Sequence, residues 1–125
     1  MSLQVVYPVG GVVAVSADGG EVDPVLLSAE SSQDDVTVAG GAGALQLELP
    51  ADAEIGQLKK VVTVAIAAGT TCDVVPPAGA TILSGTTVVA SASVAEADVG
   101  AELLLQHQVS GTWRILQISG VVTLA

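Results

Sequence analysis

Side chains with reactive or ligating chemistry are few in this 125-residue chain: one histidine (His107), one cysteine (Cys72), one arginine (Arg114) and two lysines (Lys59 and Lys60). A single Cys and a single His exclude an intrachain disulfide and any metal site of clustered thiolates or imidazoles. His107 and Arg114 flank Ser110-Gly111, and as cross-strand neighbours they would make an anion-binding pair or a general base with a helper. No second imidazole or nucleophile is spaced with them, so the pattern favours surface neighbours over catalysis. Cys72 sits in Thr71-Cys72-Asp73-Val74-Val75 with no adjacent cation to stabilise a thiolate. It is expected to be a small buried residue.

Thirteen carboxylates against three cations leave a net charge of −10, which argues strongly against direct contact with a nucleic-acid backbone and disfavours anionic lipid. Nine of the thirteen lie between Asp18 and Glu54. Asp18, Glu21 and Asp23 are spaced to share a divalent cation, and Asp34-Asp35 forms a second acidic pair. Neither has the ordered oxygen ladder of a calcium loop, so both are expected to be solubilising surface. Gly40-Gly41-Ala42-Gly43 lacks the Lys-Ser/Thr of a phosphate-binding loop and reads as a flexible connection. Trp113 is either a sugar-stacking platform or, as a lone strand Trp, filler of a core or interface. No catalytic, cofactor-binding or metal-ligating residue is assigned, and no enzymatic activity is expected.

The elements that must position these residues are extended. Half the residues are apolar, yet Tyr7 and Trp113 are the only aromatics, and 22 Val, 5 Ile and 9 Thr supply β-branched side chains suited to strands. Gly, Pro, Asp or Ser interrupts the apolar groups at short intervals, as in strands joined by turns. Leu3 to Tyr7 and Val12 to Val15 flank the turn Pro8-Val9-Gly10-Gly11, and Asp18-Gly19-Gly20 is a second turn. Val22 to Ala29 is compatible with a strand or a brief helical turn, with strand preferred. Val36-Thr37-Val38 is a further strand. Ala44 to Leu49 alternates cleanly, with Leu45, Leu47 and Leu49 inward and Gln46 and Glu48 in water. After Pro50, Asp52 to Leu58 is an excursion, and Lys59-Lys60 is expected to be a solvated edge.

From Val61 to Ala67, Val62, Val64 and Ile66 fall on one face and Val61, Thr63 and Ala65 on the other. Both faces are nearly apolar, which suits a sandwich interior or a subunit interface. Thr71 to Val75, Ala80 to Leu83 and Thr86 to Val94 follow as strands. Glu102 to Val109 and Thr112 to Ile118 read as a hairpin about the two-residue connection Ser110-Gly111. Counting outward pairs Gln108 with Trp113, His107 with Arg114, Leu105 with Leu116 and Leu103 with Ile118. Val121 to Leu124 is a terminal strand.

Together these predict an all-β fold, a compact jelly-roll-like sandwich or small barrel of about ten short strands. Residues 1–17 are read as an N-terminal arm and first strands, and residues 18–125 as the β domain. So small a domain with an aliphatic core is expected to gain further burial by oligomerising. Val62, Val64, Ile66, Trp113, Val121 and Leu124 are the expected subunit-interface residues. Met1 to Tyr7 carries no basic residue and does not resemble a signal peptide, and no apolar run suits a membrane span. Synthesis in the cytoplasm without export is expected.

Leu49-Pro50-Ala51-Asp52-Ala53, Gly56-Gln57-Leu58-Lys59-Lys60, Val75-Pro76-Pro77-Ala78-Gly79-Ala80-Thr81-Ile82-Leu83-Ser84-Gly85 and Gly111-Thr112-Trp113-Arg114-Ile115 resemble the β-rich trimeric modules of tailed-phage virion proteins. Such modules occur in capsid decoration proteins and in tail-fibre or tail-spike heads. The chain departs from that pattern in the extra Leu83-Ser84 before Gly85 and in its scarcity of aromatics. The resemblance implies a non-enzymatic homotrimer, a cement protein bound to the major capsid protein on the outer surface of the virion. Leu3, Val5, Val6, Tyr7 and Pro8 are the expected capsid-contacting arm, adding a strand to the shell protein. The alternatives are a tail-fibre or receptor-binding virion module, and a carbohydrate-binding β domain with Trp113 in its site.

Overall fold

Alternating and β-branched segments become twelve strands among residues 11–20, 23–109 and 111–125, which are the residues the computed structural model describes. The first half of the chain passes back and forth between two sheets. β1 (Val12–Gly19), β3 (Gln33–Gly41) and β5 (Leu58–Ile66) lie side by side and parallel in the larger sheet. β2 (Val25–Leu26), β4 (Gly43–Glu48) and β6 (Thr70–Val75) do the same in the smaller one. Each circuit therefore sets a new strand beside the strand of the previous circuit: Val12 neighbours Gln33, and Gln33 neighbours Lys60. β1 is paired with β3 on both sides of position 17, so the strand runs on past it.

The second half closes the body. β7 (Thr81–Ser84) and β8 (Thr87–Val89) form a hairpin, and β9 (Ala92–Ala95) adds to the small sheet before a 3₁₀ turn at Glu96–Asp98. β10 (Glu102–Gln108), β11 (Thr112–Ser119) and β12 (Thr123–Leu124) complete the chain. The strand order is β1-β3-β5-β10-β11-β7-β8 in the seven-stranded sheet and β12-β9-β6-β4-β2 in the five-stranded sheet. Both sheets mix parallel and antiparallel neighbours, and this replaces the jelly-roll expectation. Parallel neighbours need a crossover, and from β1 to β6 each crossover is itself a strand of the opposite sheet, a connection that alternation within single strands does not reveal.

Between the sheets, Leu45, Leu47 and Leu49 point inward as their alternation predicts, and they belong to one core with Val36, Val38, Val61, Cys72, Ile82, Leu103, Leu105 and Trp113. The glycine-rich corners stack on one another. The Gly20 amide donates to the Ala44 carbonyl at 2.7 Å and the Gly43 amide to the Gly69 carbonyl at 3.3 Å. Gly41 has φ 81°, and a Cβ there would stand 2.4 Å from the Gly19 carbonyl oxygen. Gly40-Gly41-Ala42-Gly43 is thus a site of close backbone approach, not a free loop.

The β10–β11 hairpin also departs from the expected register. Near the turn Gln108 pairs with Thr112, His107 with Trp113, Gln106 with Arg114 and Leu105 with Ile115. Gly111, with φ 74°, closes a three-residue connection in the left-handed conformation such loops use. A bulge at Leu116 then absorbs one residue and restores Leu103 opposite Ile118. A second irregularity in the β3–β5 pairing skips Val64. The two skipped residues, Val64 and Leu116, are left with exposed side chains, as expected where a bulge re-aims a strand.

Candidate functional site

The His107 and Trp113 rings lie against each other, with centroids 5.0 Å apart and planes tilted by 32°. His107 Nδ1 lies 3.2 Å from the Glu54 carbonyl oxygen, so Nδ1 is the protonated nitrogen that donates. Both residues point into the core, and Trp113 is fully buried. Arg114 turns to the opposite face, where Nε donates to Gln108 Oε1 at 3.1 Å and Nη1 to the Gly85 carbonyl at 2.9 Å. The expected His107–Arg114 pair is therefore split between two faces, because the three-residue turn shifts the register by one. Trp113 presents no surface to a sugar or to a second subunit.

Lys59 corrects the solvated-edge expectation. It follows the phase of Val61 and Thr63 into the interior and is fully buried, while Lys60 points outward and pairs with Glu102 at 2.8 Å. Lys59 Nζ lies 2.9 Å from Asp34 Oδ2 and donates to the Ser31 hydroxyl at 2.6 Å and the Ser31 carbonyl at 2.9 Å. The Ser28 carbonyl also accepts from it. Ser31 Oγ in turn donates to Asp34 Oδ1 at 2.9 Å. Of the Asp34-Asp35 pair, Asp34 is thus an internal counter-ion and not surface. A buried charge needs such partners, and the cage fastens the corner after β2 to β3 and β5. Among the described residues no three His, Cys, Asp or Glu side chains converge to hold a metal. Cys72 is buried, and desolvation together with the neighbouring Asp73 carboxylate pushes its thiol up to about 12.

The surface that stands out is one end of the large sheet. Val62, Glu102 and Ser119 form one row across β5, β10 and β11. One step beyond, the Gly100 amide donates to the Thr63 carbonyl, and Gly120 packs against Ala101. Val64, Val99 and Val121 each stand next in the chain to a residue of this crossing and are exposed, as are Leu116 and Ile118 of β11. Val64 is 57% and Val121 58% exposed. Ile118 sits opposite the buried Leu103, yet the core leaves it exposed.

Of the expected interface residues, Val64 and Val121 are on this end and Val62 is half-buried beside it. Ile66 and Leu124 pack partly against the core. Leu3, Val5, Val6, Tyr7 and Pro8 lie outside the described residues. The sequence carried no signal for Leu116, because an extra residue in a bulge disturbs no local pattern. Among the described residues no helix is long and apolar enough to cross a membrane. No protein-family model matches the chain, and no curated protein matches it either.

Proposed function

We propose that this protein is a structural assembly module, a homotrimeric decoration protein that sits on the outer face of a phage capsid and bridges neighbouring shell subunits without catalysing a reaction. The reading rests on the exposed aliphatic side chains at and beside this end of the large sheet, Val64, Val99, Leu116, Ile118 and Val121. Aliphatic side chains left in water favour contact with another protein surface, and three copies meeting at this end would cover those on it. Three linked contacts on a repeating lattice would also hold firmly even where each is weak. The strongly acidic composition keeps the remaining surface soluble and away from the packaged nucleic acid.

A tail-fibre or receptor-binding module is the second reading, favoured by the parallel coil of β1 to β6. Coiled strands extend along one axis by adding circuits, which suits an elongated appendage. Light scattering of the purified chain tests the trimer, and sedimentation with particles lacking the protein tests the partner. Saturable binding matched to the local three-fold sites of the shell supports decoration. Binding to tails alone supports the second reading, and a monomer that binds neither overturns both.

A further inference from the structure

Lys59 and Asp34 share more than opposite charge. Asp34 of β3 sits beside Val61 of β5, two residues on from Lys59 and on the same inward face, so the two side chains meet across neighbouring strands. Lys59 Nζ has three hydrogens, and three oxygens take them: the Ser28 carbonyl, the Ser31 carbonyl and the Ser31 hydroxyl. Its approach to Asp34 Oδ2 at 2.9 Å is thus a close contact without a hydrogen bond. The nitrogen and the carboxyl group stand together, sealed from water.

Ser31 completes a proton path between them. Its hydroxyl accepts from Nζ at 2.6 Å and donates to Asp34 Oδ1 at 2.9 Å. A proton passed from Nζ to Ser31 Oγ, with the hydroxyl proton passed on to Oδ1, turns ammonium and carboxylate into amine and carboxylic acid. Away from water the charged forms lose the solvation that favours them, and the neutral amine keeps two hydrogens for the Ser28 and Ser31 carbonyls. Its freed electron pair is a nucleophile, and the protonated Oδ1 is a leaving group.

We propose that Lys59 and Asp34 form an intrachain amide, an isopeptide cross-link between β5 and β3, with the ion pair as the state from which it forms. Lys59 Nζ bonds to Asp34 Cγ, the bond from Cγ to Oδ1 breaks, and Oδ1 departs as water with two protons, one delivered through Ser31 and one given up by Nζ as the amide forms. The step needs no oxidant or co-reactant. Holding the two groups in contact supplies the effective concentration that lets an intramolecular condensation proceed where free amine and acid would not. A chain with one Cys forms no intrachain disulfide, and the amide closes the segment from Asp34 to Lys59 into a ring, restricting the unfolded chain as a disulfide does. The cross-link lies in the core, so this inference goes beyond the decoration reading and does not depend on it.

The mass of the intact, denatured chain tests it. After the folded protein has stood at neutral pH, the chain is expected to weigh one water molecule less than its sequence requires, while Lys59→Arg, which lacks the amine, keeps its full mass. Cleavage after Glu48 and Glu54 parts Asp34 from Lys59 in an unlinked chain, whereas in the parent the two fragments are expected to stay joined and to be read as one mass. A full mass in the parent overturns the proposal. So does a loss of water that persists in Lys59→Arg or leaves the fragments separate, since the water then came from another site. Ser31→Ala removes the proton path and is expected to slow the linkage about a hundredfold, and linkage at the parent's rate overturns the part given to Ser31. Failure to bind capsids leaves all of these results unaffected.

Discussion

Lys59 Nζ stands 2.9 Å from Asp34 Oδ2, and both side chains are sealed from solvent. Ser31 bridges them, accepting from the lysine and donating to the carboxylate. Removing one member strands the other charge in the interior. Lys59→Met or Asp34→Leu alone is therefore expected to cost about 3–5 kcal/mol, and the two together much less than their sum, because no unpaired charge then remains. Urea denaturation of the four proteins measures this. A single variant within about 1 kcal/mol of the parent would show that the cage is not what fastens β3 to β5.

Gly41 and Gly56 both have positive φ, 81° and 94°, but they differ in surroundings. A Cβ on Gly41 meets the Gly19 carbonyl at 2.4 Å, whereas one on Gly56 meets nothing within 4 Å. Gly56→Ala bears only the backbone strain, about 1 kcal/mol, while Gly41→Ala adds displacement of the stacked corner and is expected to reach about 3 kcal/mol. Thermal unfolding compares them. Equal losses would mean that the corners do not pack as closely as their hydrogen bonds indicate.

All-β character was legible because Leu45-Gln46-Leu47-Glu48-Leu49 and the valine segments leave no other period open. The parallel coil was not, since alternation reports which side of a strand faces the core and nothing about which strand lies beside it. Lys59 shows a sharper loss. Its phase with Val61 and Thr63 was readable, but Val61, Thr63 and Ala65 were as apolar as Val62, Val64 and Ile66, so the buried face was undetermined. The hairpin failed by one residue at its turn, and that single step moved Trp113 from opposite Gln108 to opposite His107. The exposed end was visible in part. Val64 and Val121 are apolar in any reading, but their placement at this end depends on the β5–β10–β11 order.

Trp113 is the only Trp in the chain, so its fluorescence reports one environment. Fully buried against His107, it is expected to emit at short wavelength, to resist acrylamide quenching and to be unaffected by added oligosaccharides. Red-shifted, readily quenched emission would place the indole at the surface and revive a sugar-stacking role.

Cys72 supplies a pH dependence. Its thiol rises from 9.0 to about 12 in the folded chain, first through desolvation and then through Asp73. Above pH 9 the unfolded chain loses this proton while the folded chain keeps it, so the unfolded state binds fewer protons and stability falls with rising pH. The loss is expected to run from pH 9 to about 12 and to be reduced in Cys72→Ala. A thiol reagent at pH 8 should label the protein only after denaturation, because the reactive species is the thiolate. Rapid labelling of the native chain would contradict the burial.

Val64 and Val121 offer a direct test of the assembly surface. Both are more than half exposed in the single chain, so a charge at either costs little when the chain is alone, within about 0.5 kcal/mol as at other surface sites. In an oligomer that buries them, an aspartate would be enclosed without a partner, a far larger penalty. Val64→Asp and Val121→Asp are therefore expected to keep the parent's strand signature and melting behaviour at high dilution while shifting the light-scattering mass from trimer to monomer. An unaltered mass would move the contact away from this end of the sheet, and a loss of fold at high dilution would mean that these valines serve the single chain's own core.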